Sequence, residues 1–358
     1  TKKDIIKPIK KWLVEHGVHI LTNVSVYDIE MDDDCNVALG IKYRQGNEEK
    51  YTATTENDMV FITNGSMTTN STMGDNTHPA VLNRDTNDMG VFTLWKNLAK
   101  KSAKFGHPEK FISTPDKTCW MSAFLTVKDY PQFFERIEKM TGAKNGTGGI
   151  ITIADSGWDL SIIPYGKYYP DQTENENVMW IYGLFGDCQG DYVKKSMHES
   201  TGNEILTELL YHLDMMDMKD EVLQHAYVST CMMPYITAFF MPRTRGDRPD
   251  VVPEGCVNFA FIGQFAETAR DTIFTTEYSV RTGMEAVYTL LDIDRGVPEV
   301  WGSCYDVRCL LDAASKMMDG KKLTEMDLPF LYGFVEKKAL KHVSGTVIEE
   351  LLLRYHLI

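Results

Sequence analysis

Several familiar signatures are missing from this chain of 358 residues. No Gly-x-Gly-x-x-Gly occurs, so no complete dinucleotide-binding βαβ fingerprint is present. No Cys-x-x-Cys occurs either. The seven cysteines are odd in number and irregularly spaced, which argues against a disulfide scaffold and fits reduced thiols. No apolar run approaches the roughly 20 residues of a spanning helix. The nine histidines show no zinc-ligand spacing with a third ligand nearby, so no metal site is assigned. Positive charge is scarce: the net charge is −14, and without a basic face a nucleic-acid partner is excluded. There are no repeats and no low-complexity tracts.

What remains is an ordinary globular composition, 43% hydrophobic and 25% charged, long enough for about two domains. The most informative stretch runs from Val257 to Gly296. An apolar strand ends at Gly263-Gln264-Phe265-Ala266-Glu267. A helix follows, with Val280, Met284, Val287 and Leu291 on one face. A strand that stops at glycine before a helix N-terminus is how α/β proteins hold anionic cofactors, because backbone amides and the helix dipole face the ligand. Thr275, Thr276 and Ser279 offer hydroxyls at that N-terminus, as caps, as cofactor contacts or as both.

Upstream, Ile5, Ile6, Ile9, Trp12 and Leu13 follow helical spacing, with Pro8 near the helix start and Gly17 at its end. Strands are expected near 18–30, 37–44 and 50–53. Val26 lies on the first of these, at a place where flavoproteins often pair backbone with adenine. A buried strand then breaks at Asn64-Gly65-Ser66, which is a turn or a cofactor approach. Residues 67–90 read as a long functional loop. The middle region suggests helices at 132–141, 201–213 and 219–227, with strands near 149–154, 159–164 and 178–185. Residues 231–243 are unusually apolar and aromatic. Within them Tyr235, Phe239, Phe240 and Met241 line an apolar ligand channel or fill a core. The last fifty residues read as helices, with Leu340, Val343, Val347, Leu351 and Leu352 near one face. Lys337, Lys338 and Lys341 at their start would permit local contact with an anionic membrane.

Seven literal runs together resemble the oleate hydratase family, once called myosin-cross-reactive antigens. They are Val60-Phe-Ile-Thr-Asn-Gly-Ser, Trp180-Ile-Tyr-Gly-Leu-Phe, Gly190-Asp-Tyr-Val-Lys-Lys, Met233-Pro-Tyr-Ile-Thr-Ala-Phe-Phe-Met-Pro-Arg, Asn258-Phe-Ala-Phe-Ile-Gly-Gln-Phe-Ala-Glu, Ile273-Phe-Thr-Thr-Glu-Tyr-Ser-Val-Arg-Thr and Asp294-Arg-Gly-Val-Pro-Glu-Val. The resemblance implies a bacterial, cytoplasmic FAD protein that adds water to a double bond of an unsaturated fatty acid. It implies a part of a two-dinucleotide-type α/β fold, with a mixed α+β substrate domain and a helical C-terminal lid. The expected divisions are 1–66 (FAD-binding), 67–250 (substrate), 251–300 (last FAD-binding strand and helix) and 301–358 (helical). In such a family a tyrosine protonates the alkene and a glutamate activates water. By that comparison the glutamate belongs to an N-terminal half outside this sequence. The tyrosine falls at or before residues 1–4, which read Thr-Lys-Lys-Asp. No catalytic residue is therefore assigned, and the sequence is expected to be the C-terminal part of a longer protein, inactive by itself. The family's carboxylate-binding Thr, Asn and His correspond to Ile163, Tyr165 and Tyr169, which leaves Tyr165, Lys167 and Tyr169 as anchors for the acid. Expected partners are the fatty acid, a peripherally touched anionic membrane and a second copy in a homodimer. The rival expectation is a non-catalytic flavin- or lipid-binding relative.

Overall fold

The computed structural model describes residues 2–85, 90, 92–269, 271, 275–298, 302, 305–317, 321–322 and 340–358. The described chain forms two compact units: residues 1–268 with 272–295, and residues 269–271 with 296–358.

The first unit opens with a π-helical turn, Lys2–Ile6, that runs into α1 (Lys7–Glu15) with Pro8 at its start. Proline has no N–H to donate to the preceding turn, and it stands where the π-helical turn gives way to the α-helix. Ile5, Ile6, Ile9 and Trp12 are all exposed, and α1 buries no residue. Three strands then form an antiparallel meander: β1 (Val24–Met31), β2 (Ala38–Gln45) and β3 (Glu48–Ala53). The expected start of the first strand at residue 18 is too early, because 18–23 are irregular. Next comes β4 (Val60–Thr63).

Two strands of one parallel pair lie far apart in sequence. β4 is hydrogen-bonded to β11 (Phe259–Ile262), with Val60 opposite Phe259 and Thr63 opposite Ile262. Between them the chain builds a six-stranded antiparallel sheet, ordered β5-β10-β6-β9-β8-β7. Its strands are β5 (Thr72–Gly74), β6 (Trp120–Lys128), β7 (Ile151–Thr152), β8 (Leu160–Gly166), β9 (Glu176–Gly183) and β10 (Ala226–Met233). β5 falls inside the expected loop at 67–90, whose residues 86–89 lie outside the described residues. The expected helix at 219–227 ends at His225, and Ala226 onward is strand β10. Its residues Val228, Thr230 and Met232 alternate inward, a period that belongs to a strand.

Short helices fill the space before β6: α2 (Phe92–Ala99), α3 (Glu109–Ile112) and α4 (Pro115–Thr118). Three more cover one face of the six-stranded sheet: α5 (Gln132–Thr141), α6 (Gly202–His212) and α7 (Lys219–His225). α5 ends at Gly142, whose φ of 69° is the left-handed stop that glycine adopts without strain. α6 begins with a capping box: Thr201 accepts from the Glu204 amide and Glu204 accepts from the Thr201 amide. The helices bury Phe133, Phe134, Ile205, Leu209 and Val222 against Leu125, Ile181 and Val228 of the sheet. A second core joins β1, β2, β4, α2 and β11 through Ile29, Ile62, Leu98, Phe105, Phe259 and Phe261. α8 (Thr276–Leu290) belongs to this core through Ala286.

The apolar stripe of α8 is not its most buried side. Val280 and Leu291 are exposed, and the residues facing inward are Tyr278, Thr282 and Ala286. Small and hydroxylic side chains occupy the packed face because the Thr282 hydroxyl accepts from the Gly263 amide at 2.9 Å. Met284 and Val287 of the same apolar stripe are half-buried beside that face.

The second unit contains helices Val307–Met317 and Val347–Arg354. Residues 340–343 are helical, but the turn at Ser344-Gly345 separates them from 347–354, so the five apolar positions do not share one helix. Ile273 and Phe274, together with Lys337 and Lys338, lie outside the described residues.

Candidate functional site

β4 and β11 run in the same direction, so Asn64-Gly65-Ser66 and Gly263–Glu267 emerge at the same, carboxyl-terminal edge. In open parallel sheets that edge is where ligands bind. A cleft of about 560 Å³ adjoins it, lined by Val24, Val26, Phe61, Thr63, Thr69 and Leu94 among others. Val26 thus lies on the wall of the cleft. Thr63 also lines it, and Asn64 follows directly.

Asn64 is almost wholly buried, and neither its amide nitrogen nor its amide oxygen has a hydrogen-bond partner among the described residues. Burying such a group unpaired costs about 1–3 kcal/mol. Its neighbour Gly65 has φ of +136°, and a Cβ there would meet the Phe92 ring at 2.3 Å. The turn therefore accepts only glycine, and it presents an amide side chain that needs both a donor and an acceptor from elsewhere. These residues fit a planar, hydrogen-bonding group such as the ring edge of a dinucleotide cofactor.

The segment after β11 is held from behind. Arg248, 1% exposed, donates to both carboxylate oxygens of Glu267, at 3.1 and 2.8 Å, and to the Gln264 carbonyl at 3.1 Å. Its guanidinium also lies 5.5 Å from the centre of the Tyr278 ring. Tyr278 donates to the Ala266 carbonyl at 2.5 Å. Burial pushes the Tyr278 phenol up to about 12. Phe265 fills an aromatic cluster with Phe92, Trp95 and Phe111. The side chains of Phe265 and Glu267 thus serve the scaffold, and so does the Gly263 amide. At Gly263 the φ of +86° demands glycine on its own account, and an added Cβ would make only ordinary contact with Thr63. On α8, the Thr275 hydroxyl accepts from the Tyr278 amide as an N-cap, Thr276 is the first helical residue, and the Ser279 carbonyl accepts from Thr282.

The other assigned residues fall in two places. Tyr235 and Phe239 are core, packed with Phe92, Trp95 and Phe111. Phe240 is exposed against Phe239, and Met241 is half-buried. Lys167 forms a surface ion pair with Glu174. Tyr165 and Tyr169 belong to an aromatic surface on the sheet face opposite the helices. There Phe124 meets both rings, and Trp120, Trp180 and Tyr182 pack together beside them with centroids 4.8 to 6.1 Å apart. Burial raises the Tyr165 phenol above its ordinary value.

Sequence reasoning missed Arg248, Thr282, Trp120 and Phe124. The first two act on residues 16 to 19 positions away, and no local pattern marks that. The last two lie on β6, where Met121, Ala123, Leu125 and Val127 alternate with Trp120, Ser122, Phe124 and Thr126. A strict period-2 count would have found that strand.

The MCRA family model matches residues 3–288. Oleate hydratase of Streptococcus pyogenes serotype M49 (strain NZ131) is 43% identical over 361 residues, covering 97% of this chain and 60% of that protein. Linoleate hydratase of Lactiplantibacillus plantarum is 32% identical over 347 residues, covering 88% of this chain and 60% of that protein. The chain thus spans about three-fifths of the length of these curated relatives. On the family match and the 43% identity together, the chain belongs to the MCRA family.

Proposed function

We propose that this chain is the C-terminal part of an FAD-dependent fatty acid hydratase, which adds water to the cis double bond of an unsaturated fatty acid. The observation that carries the cofactor half of this reading is Asn64, buried and unpaired at the carboxyl edge of β4 beside the Val26 cleft. The similarity to an oleate and a linoleate hydratase carries the substrate half.

In this reading Asn64 grips the flavin edge, Gly65 lets the backbone approach, and the wall from Val24 to Val26 faces the adenosine end. The α8 N-terminus, with Thr275, Thr276 and Ser279, faces the anionic part of the cofactor. Arg248, by fixing Gln264 and Glu267, keeps the loop after β11 in one shape. When bound, the flavin supplies a rigid polarisable surface that shapes the site without net redox change. The aromatic surface of Phe124, Tyr165, Tyr169, Trp180 and Tyr182 offers apolar contact to an acyl chain and hydroxyl donors to its carboxylate. Lys167 serves only after Glu174 releases it. No residue of this chain is assigned as the alkene-directed acid or the water-directed base. In this reading the protein acts in fatty acid metabolism. Among the described residues no helix is long and apolar enough to cross a membrane.

The test is to incubate the full-length protein, with its flavin, with oleate, linoleate and palmitoleate and to analyse products by mass spectrometry. A hydroxy fatty acid from any of them, gained by one water, supports the reading. No hydrated product from any, with flavin bound, would leave a non-catalytic flavin- or lipid-binding relative in its place.

A further inference from the structure

The run Gly190-Asp-Tyr-Val forms a loop around a buried carboxylate, far from the cleft in sequence. Glu208 on α6 has no exposed surface. Its Oε1 accepts from the amides of Asp191 at 2.5 Å and Tyr192 at 3.2 Å. Its Oε2 accepts from Tyr192 at 2.9 Å and Val193 at 2.8 Å. One turn later on the same helix face stands His212, whose side chain is 6% exposed. The Asp191 carboxylate completes the group, with Oδ2 accepting from the Gly157 amide at 2.7 Å. A side chain at Gly157 would meet the Gln189 carbonyl beside this loop at 2.7 Å, and one at Gly190 would meet the Trp158 ring at 2.8 Å.

His212 Nε2 lies 3.2 Å from Asp191 Oδ2 and 3.3 Å from Glu208 Oε1, yet it has no aligned hydrogen bond to either. Asp191 Oδ2, Glu208 Oε1 and His212 Nε2 all lie within 4.8 Å of one another. Among the described residues neither carboxylate has a lysine or arginine partner. The cluster therefore places two carboxylates, one of them fully buried, within 3.3 Å of a ring nitrogen that lies between them. Separations near 3.3 Å suit donors that share a central ion at about 2.0–2.1 Å in a tetrahedral arrangement. The amide hydrogen bonds already orient both carboxylates, as supporting bonds do around bound metals. The Asp191 side chain is 42% exposed and gives a route from solvent and room for a water as fourth ligand.

We propose that Asp191, Glu208 and His212 bind one divalent transition cation of the zinc class, clipping the 190–193 loop to α6. Imidazole with carboxylate oxygens is a donor set that zinc accepts. Spacing alone does not reveal this set, because Asp191 comes from another element than the Glu208/His212 pair. The proposal is independent of the hydratase reading.

The experiment uses the full-length protein, stripped with chelator and titrated with Co²⁺ and then Zn²⁺. The expected result is one equivalent of Co²⁺ with a tetrahedral visible spectrum and no thiolate charge-transfer band, displaced by Zn²⁺ and accompanied by a rise in melting temperature. His212→Gln should weaken Zn²⁺ binding by more than about 100-fold, beyond the loss of a supporting hydrogen bond alone. Asp191→Asn, at the more exposed ligand, should do the same and guards against a folding defect in the first variant. Absence of uptake by the wild type, equal binding by a folded variant, or a thiolate band would each overturn the site.

Discussion

The two ends of the β4–β11 pair treat the same residue type in opposite ways. At the amino end, Asn258 uses its whole amide: Oδ1 accepts from the Ala38 amide at 2.8 Å, and Nδ2 donates to the carbonyls of Ala38 and Thr55 at 3.0 and 2.9 Å. At the carboxyl end, Asn64 is equally buried and, among the described residues, uses none of it. Folding explains the first asparagine, because it ties β11 to β2 across 220 residues. It does not explain the second, which costs stability where it stands. A buried polar group satisfied within the chain is scaffold, whereas one left unsatisfied beside a cleft is a receptor.

The contrast predicts opposite responses. Asn258→Ala should destabilise the protein by about 2–3 kcal/mol, because the Ala38 amide loses its partner in a buried place and the tie to Thr55 is cut. Urea unfolding of the flavin-free protein measures this; a loss below 1 kcal/mol would erase the distinction. Asn64→Leu should leave that stability unchanged or higher, while weakening flavin binding in the full-length protein by about 1–3 kcal/mol, roughly 5–150-fold. Flavin titration decides it: unchanged affinity with lowered stability would make Asn64 a scaffold residue like Asn258.

Tyr278 sharpens the comparison from the scaffold side. Its folded pKa is raised to about 12, so the unfolded chain loses the proton first as pH rises. The stability it contributes is complete below about pH 10, the ordinary tyrosine value, and is lost as pH climbs toward 12. The whole effect is about 2–3 kcal/mol at most. Tyr278→Phe should flatten this part of the stability–pH curve relative to wild type. An identical alkaline decline in the variant would place the titration elsewhere. The smallest effect is expected at Lys167, an exposed residue already paired with Glu174. Lys167→Met should change the Michaelis constant for free fatty acids less than threefold, a surface-pair effect well under 1 kcal/mol. A tenfold rise for acids and none for methyl esters would restore lysine as the carboxylate anchor.

Local chemistry made some of this visible beforehand. α5 and α6 could be read because Gly142 and the Thr201/Glu204 box mark their ends. The turns after β4 and β11 could be read because glycine breaks an apolar run at each. β6 and β10 were not read although each alternates, with Met121, Ala123, Leu125 and Val127 inward on the first and Val228, Thr230 and Met232 on the second. The orientation of α8 escaped because hydroxyl-to-backbone bonding, rather than hydrophobicity, selects its inner face. Arg248 and Asn258 draw their meaning from partners that are distant in sequence, and so does the unpaired state of Asn64.

The separation of β4 from β11 also bears on how the molecule assembles. Val60 pairs with Phe259, 199 positions later (259 − 60). Closing so long a loop from a random chain costs about 5 kcal/mol in its length-dependent part alone, which two four-residue strands cannot repay. The intervening antiparallel sheet makes mostly shorter-range pairings, such as β8 with β9. If it forms first, it brings the ends near each other and removes most of that entropy. β4 would then leave the ribosome with its edge open and wait for most of the chain before its partner arrives, which makes this interval the time at which the nascent protein is most exposed to aggregation.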